Sequence, residues 1–256
     1  MAFRIKFFRM LLLILLSCAS HLAWSEPTCK PSCKVYLTID DGPLAGAANI
    51  MDVFSQEKVP VTLFMVGMHV QSYPDGEQLL KQAKALNHVQ VGDHSYSHAH
   101  DHYRYFYSCP ECVVKDMTQG AQVLGLDFKK SIPSRLPGRN VFRLKNLKQD
   151  DPYIDAQERL KEQVDDDLVS RAGFDLYGWD LEWAHLSLGK PVQSVPQLLN
   201  EIDDAFETGS TTRGGKLILL MHDQMFPNHF DGQLQLTMLI KGLQQRGYVL
   251  DDLRNY

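Results

Sequence analysis

Short apolar runs alternate along this chain with longer stretches of helical periodicity, and that alternation leaves few architectures open. The runs fall at residues 34–39, 61–66, 89–91, 132–135, 174–179, 216–221 and 248–250. Between them, apolar residues recur at helical spacing over 46–57, 76–86, 112–124, 155–171, 195–207 and 232–245. Runs that are apolar at nearly every position belong to strands covered on both faces, which is the habit of parallel sheets built from repeated βα units. The fold class is therefore α/β, and a distorted, incomplete (β/α)7 barrel fits better than an open sheet because of where the polar residues fall. No internal repeat, low-complexity tract or long linker interrupts residues 27–256, which read as one domain. The longest break in the pattern, Gly138 to Pro152, reads as a surface loop. The acids Asp150, Asp151, Asp155, Glu158, Glu162, Asp165, Asp166 and Asp167 read as a solvated face on and before the helix that follows.

Residues 1–25 have the form of a secretory signal peptide: Arg4, Lys6 and Arg9 precede the apolar run Met10–Leu16, and Ala23-Trp24-Ser25 offers a small-x-small cleavage site. The run is too short to span a bilayer. An alternative lies in the same segment, since Leu15-Leu16-Ser17-Cys18 is similar to a lipoprotein cleavage box that would leave a lipid anchor on Cys18. Either way the protein is expected to be exported, periplasmic or secreted, and monomeric. Acids outnumber Lys and Arg by 31 to 26, and the leader carries three of those basic residues and no acid. An acidic chain without a basic patch is not expected to bind nucleic acid.

Removing the leader leaves Cys29, Cys33, Cys109 and Cys112. In an exported protein these are expected to form disulfides, with three pairings open, and a four-thiolate zinc knuckle is the alternative.

Ligands of parallel barrels bind at the C-terminal ends of the strands. Chemistry-bearing residues collect there. The first run ends in Asp40-Asp41 before Gly42-Pro43, the third leads into His94-Ser95-Tyr96-Ser97-His98, and the fourth ends in Arg135-Leu136-Pro137-Gly138. The fifth ends in Trp179-Asp180-Leu181-Glu182-Trp183 and the sixth in His222-Asp223. Two adjacent acids at the end of a buried strand are costly to desolvate unless a cation or a hydrogen-bond network offsets it, although Asp-Asp-Gly-Pro is also ordinary turn chemistry. His94 and His98 are four apart, so one helical turn would set both imidazoles on a single face, and a carboxylate from another strand would complete a metal site. Arg135 reads either as a structural ion-pair partner or as the group that keeps a catalytic carboxylate charged.

In kind and order these segments resemble the polysaccharide deacetylases of carbohydrate esterase family 4. Thr38-Ile39-Asp40-Asp41-Gly42-Pro43, His94-Ser95-Tyr96-Ser97-His98, Arg135-Leu136-Pro137-Gly138 and Leu220-Met221-His222-Asp223 are similar to that family's first, second, third and fifth motifs. The resemblance implies a distorted barrel, a bound divalent metal, usually zinc, and removal of N-acetyl groups from an N-acetylglucosamine glycan. It further implies that Asp41, His94 and His98 hold the metal, that Asp40 is the general base, His222 the general acid and Arg135 the residue orienting Asp40. Leu220 and a tryptophan of the fifth strand end would wall the acetyl pocket. The chain departs from the pattern twice. Gly138 stands where the family more often has a bulky residue, which would open that side of the groove at Pro137-Gly138. The fourth motif is one residue tight, which leaves open whether Asp180 is the partner of His222 and whether Trp179 or Trp183 is the pocket wall.

Base and acid are expected on opposite sides of the reacting carbon, with the Gly42-Pro43 turn directing the two acids apart. The aromatic segment Tyr103-Arg104-Tyr105-Phe106-Tyr107 reads equally as a sugar-stacking surface, with Tyr105 its center, and as a packed loop. Three other functions remain consistent with the residues: a metal-free carbohydrate-binding protein, a non-haem iron oxygenase sharing the ligand set, and a deacylase of a non-sugar amide or ester. The glycan itself, chitin oligosaccharide or peptidoglycan, is not legible.

Overall fold

The computed structural model describes residues 32–256; the leader, Cys18 and Cys29 lie outside them. In chain order the elements are β1 (Lys34–Asp40), α1 (Ala47–Glu57), β2 (Val61–Met65), α2 (Gly67–Ser72), α3 (Gly76–Ala85) and β3 (Val89–Asp93). Next come α4 (Tyr103–Phe106), α5 (Pro110–Val123), β4 (Ile132–Ser134), β5 (Phe142–Leu144), β6 (Leu147–Gln149) and α6 (Ala156–Arg171). The chain ends with β7 (Phe174–Leu176), β8 (Leu181–Glu182), α7 (Val195–Thr208), β9 (Lys216–His222), α8 (Gly232–Gln245) and β10 (Val249–Leu250).

The strands form one curled sheet in the order β6-β5-β7-β4-β3-β2-β1-β9-β8, with β10 added beside β1. Every pairing from β4 and β7 through to β8 is parallel. This is a curled α/β half-barrel, and the distorted barrel expected from the sequence is the one found. The seam lies between β7 and β8, which are consecutive in the chain yet far apart in the sheet. Residues 177–180 cross it, with the Tyr177 amide donating to the Ser134 carbonyl at 2.9 Å and the Asp180 amide to the Ile218 carbonyl at 3.0 Å.

Strand alternation decides which side chains enter the barrel. On β1, Val35, Leu37 and Ile39 face outward into the large apolar cluster shared with α1, α3, α7 and α8. Tyr36 instead joins Phe64, Phe142, Ile218, Leu253 and Tyr256 in a separate cluster that fills the barrel floor. Thr38 and Asp40 continue that inward row toward the top, and on β9, in register with them, Leu220 and His222 do the same. The apolar floor and the polar top are thus one side-chain row read in two halves.

Two sequence readings are corrected and a third is narrowed. The segment Gly138 to Pro152 is not simply a surface loop: it contains the antiparallel hairpin β5–β6, joined through Lys145-Asn146. Its strands are three residues each and half polar, too short to give a periodic signal. Of the acids read as a solvated face around α6, half are not solvated: Asp151, Glu162, Asp165 and Asp166 are buried, while Asp150, Asp155, Glu158 and Asp167 reach solvent. Arg139 forks onto Glu162, and Arg143 reaches Asp150, Asp166 and Asp167. Finally, Cys109 is bonded to Cys112 and Cys33 is also in a disulfide, which removes both the zinc knuckle and a cross-link between the pairs.

Candidate metal and catalytic centre

Asp40 closes β1 in extended conformation, while Asp41 steps into the left-handed region at φ 73°. That single torsion, rather than the turn at Gly42-Pro43, sends the two carboxylates apart. The Asp41 carbonyl is held by His69, whose Nδ1–H donates to it at 2.6 Å.

His94 and His98 are not on a helix. The chain leaves β3 through Ser95 at φ 66° and then holds His98, Ala99, His100 and Asp101 all at φ between 47° and 57°. A run of left-handed non-glycine residues costs roughly 1–2 kcal/mol per residue and persists only where the surroundings impose it. Here Asp116 of α5 accepts from the Tyr96 and Ser97 amides at 2.9 and 3.0 Å, Ser95 Oγ accepts from the His98 amide, and Ala99 is buried in the core. The expected convergence of the two imidazoles therefore occurs, by a different backbone.

Each imidazole commits one nitrogen. His94 Nδ1–H donates to the Arg135 carbonyl at 2.8 Å, and His98 Nδ1–H to Asp101 Oδ1 at 2.9 Å. Both Nε2 atoms then face Asp41 Oδ1, at 3.4 and 3.2 Å. That oxygen is buried and accepts no well-aligned hydrogen bond. One ligand atom from each of Asp41, His94 and His98 lies within 4.8 Å of the others. Two imidazole lone pairs and a carboxylate oxygen pointed at one another repel unless a cation or protons lie between them, so the donor set fits a divalent metal. Burial pushes the Asp41 carboxyl up, but His94 and His98 outweigh it and hold it well below the usual carboxylate range. His98 is pushed up to about 9 as Asp41 and Asp101 overcome the opposing effect of burial.

Asp40 stands beside this set. Its Oδ2 is 3.6 Å from His94 Nε2, and its Oδ1 accepts from Arg135 at 2.8 Å. Arg135 is fully buried and spans the barrel mouth, donating also to Thr38 Oγ1 and to the carbonyls of Tyr177 and Gly178. His222 is paired with Asp40 across β1 and β9, so these two groups sit on adjacent strands and not across the barrel. Its Nδ1 is buried without a hydrogen-bond partner, and its ring packs edge-on against His185 at 4.7 Å. Burial pushes His222 below the ordinary imidazole range, against the pull of Asp41 and Asp40.

Asp40, Asp41, His94, His98 and His222 open onto one cavity of about 710 Å³, which Leu220, Trp179 and Gly138 also line, while Arg135 lies behind the lining. Trp183 is in the core, packed against Phe226 with its indole N–H on the Gln193 carbonyl. Asp180 is nowhere near His222: its carboxylate accepts from the Thr212 and Ile218 amides. Pro137 contributes a carbonyl to the Tyr107 hydroxyl and is not in the lining. Tyr105 is exposed and is not in the lining, whereas Tyr103 lines the cavity, edge-on to His98. Sequence reasoning gave no site role to His69, Asp101, Glu182 or His185, all of which line the cavity, and had Tyr103 only as one residue of the aromatic segment. The only sequence signal for them was proximity to the strand ends.

A polysaccharide deacetylase family model matches residues 28–133. The chain is 22% identical to the chitin disaccharide deacetylase of Vibrio alginolyticus over 321 residues, covering 93% of this chain and 74% of that one. It is 25% identical to a peptidoglycan-N-acetylglucosamine deacetylase of Bacillus cereus over 221 residues, covering 83% and 66%. Among solved structures, the catalytic domain of a peptidoglycan N-acetylglucosamine deacetylase from Eubacterium rectale superposes with a TM-score of 0.60 at 20% identity, covering 86% of this chain and 88% of that one. In its fold, in the order of its strand-end residues and in these relatives, the chain is similar to the polysaccharide deacetylases.

Proposed function

We propose that the protein hydrolyses N-acetyl groups from N-acetylglucosamine residues of a glycan, chitin oligosaccharide or peptidoglycan, outside the cytoplasm and with a divalent metal, zinc in the first instance. One observation supports this above the others: three ligand atoms converge from Asp41, His94 and His98 while the adjacent Asp40 is left out of the set and paired with Arg135.

Asp41, His94 and His98 hold the metal in this reading. When bound there, the ion polarises the amide carbonyl and makes a coordinated water more acidic. Asp40 takes the proton from the attacking water at Oδ2, the oxygen that Arg135 leaves free. Arg135 holds that carboxylate in place through its hydrogen bond to Oδ1. His222, presented from the neighbouring strand, gives a proton to the departing nitrogen, without which the adduct would collapse back to amide. Burial weakens its hold on that proton and so favours the transfer. Leu220 and Trp179 enclose the acetyl methyl.

The test is acetate release from chitin oligomers and peptidoglycan fragments, with and without a chelator. Asp40→Asn is expected to keep its metal, measured by elemental analysis, while turnover falls by at least about 100-fold. Turnover that survives chelation, or an unchanged rate in the Asn variant, overturns the reading.

A further inference from the structure

His222 ends β9 with a ring that no hydrogen bond fixes at Nδ1. That atom is buried and makes no bond of acceptable geometry, even with the Met225 amide in the turn that follows. Asp180, the carboxylate the sequence offered as its partner, is spent on the Thr212 and Ile218 amides. A general acid delivers its proton along one direction, so a ring free to turn about its side-chain bonds would serve poorly. What stands against the His222 ring is His185, with centroids 4.7 Å apart and planes at 74°.

His185 is itself firmly held. The Trp183 amide donates to the Leu220 carbonyl at 2.9 Å, and the Trp183 indole N–H donates to the Gln193 carbonyl, which ties both ends of the segment 183–193 together and to β9. Within it, the Leu186 amide donates to the Lys190 carbonyl and the Val192 amide to the Ala184 carbonyl, both at 2.9 Å, and His185 bridges Pro191 in antiparallel fashion. Gly189, at φ 88°, lies so close to the chain after His222 that a Cβ there would come within 2.0 Å of the Gln224 carbonyl oxygen. The hairpin is thus pressed directly onto the end of β9. Both imidazole nitrogens of His185 are engaged in this arrangement: Nδ1–H donates to the Leu186 carbonyl at 2.8 Å, and Nε2 accepts from the Gln224 side-chain amide at 3.3 Å. Neither is offered to His222, so the two rings meet by packing alone. Edge-to-face packing at this distance sets the angle of a ring as well as its position.

We infer that His185 is a positioning residue for the general acid: its ring, packed edge-on, holds the His222 imidazole at the angle from which it serves the departing nitrogen. The inference rests on the function proposed above, in which His222 gives up that proton, and adds to it a residue that acts through His222 and exchanges no proton itself.

The experiment measures kcat and KM for acetate release by the metal-loaded full chain, His185→Ala and His185→Phe, on whichever of a chitin oligomer and a peptidoglycan fragment the unsubstituted protein turns over. In the Ala variant kcat is expected to fall about tenfold with KM within about twofold, and the Phe variant, which keeps a ring in place, is expected to recover most of the loss. A second readout is para-nitrophenyl acetate, whose phenolate departs without needing a proton. The ratio of amide to ester turnover is expected to fall about tenfold in His185→Ala, in the same direction as in His222→Ala, whereas loss of mere structural filling would lower both reactions together. Circular dichroism and metal content are the folding controls, and His185→Leu takes the place of the Ala variant if that one does not fold. An unchanged kcat in the Ala variant, an equal loss in Ala and Phe, or ester turnover that falls in step with amide turnover overturns the positioning role and leaves the deacetylase reading standing. No acetate from either glycan in the unsubstituted protein overturns the deacetylase reading itself and the positioning role with it.

Discussion

Two covalently adjacent carboxylates, Asp40 and Asp41, are given different surroundings by one backbone torsion. Asp41 turns toward two imidazoles and Asp40 toward a guanidinium. Arg135 and Asp40 are both desolvated, so neither charge is tolerable without the other. Replacing Arg135 with Met is expected to destabilise the protein by about 3–5 kcal/mol, because the buried carboxylate loses its partner. Adding Asp40→Asn to that variant should recover part of the loss. Urea unfolding of the two single variants and the double variant measures the coupling, and strict additivity would refute it. Asp223, quoted in the sequence only as the residue after His222, has a separate structural task. It accepts from the Gly46 amide at 2.8 Å and so ties the turn after Asp41 to the end of β9. Burial pushes its carboxyl up to about 7.

Among the elements, α6 departs furthest from its sequence reading. It starts from a regular N-cap, with Asp155 accepting from the Gln157 and Glu158 amides, yet it turns acids and not aliphatics toward β5 and the segment before it. The reason is that Arg139 and Arg143 wait there, from a segment that carries no strand-like periodicity. Asp165 is left without a hydrogen-bond partner on either oxygen. Burial, with Glu162 nearby, pushes its carboxyl up to about 7, and burial pushes Asp166 to about 7 as well. Such a group is protonated in the folded chain and ionised in the unfolded chain between about pH 4 and 7, so its contribution to stability is lost as pH rises through that window. Asp165→Asn is therefore expected to raise stability by about 1–2 kcal/mol at pH 8, with the difference shrinking toward pH 4. Thermal unfolding across that range is the check, and a difference constant with pH would count against the assignment. The run from His98 to Asp101 is the other element no periodicity could announce. Its left-handed backbone exists because Asp116 and the burial of Ala99 hold it.

At the scale of the molecule, the curled sheet separates a packed floor from a reactive mouth. Tyr256 belongs to the floor: its ring meets Tyr36 at 5.2 Å and stacks on Phe142 at 6.0 Å, so β1 and β5 are joined underneath the seam. Tyr256→Ala is expected to cost about 3–5 kcal/mol, read as a lower urea midpoint, while acetate release per folded molecule stays unchanged. A loss of turnover at full folding would mean instead that the floor also shapes the mouth. No helix among the described residues is long and apolar enough to cross a membrane.

The strands β1, β2, β3 and β9, the helices α1, α3, α5, α7 and α8, and the strand-end residues Asp40, Asp41, His94, His98 and His222 were legible in the sequence. They depend on local periodicity and on residue types at chain positions that any parallel barrel brings to one end. What the sequence left open, the tertiary structure decided. Trp179 faces the cavity and Trp183 the core, Asp180 serves the backbone and not His222, and Glu162 and Asp166 of α6 are buried ion-pair partners. Each of those outcomes turns on a partner far away in the chain, as Arg135 lies 95 residues from Asp40 and Arg139 lies 23 from Glu162. A side chain's charge state and orientation follow from what desolvates it and what bonds to it. Spacing along the chain carries no record of either.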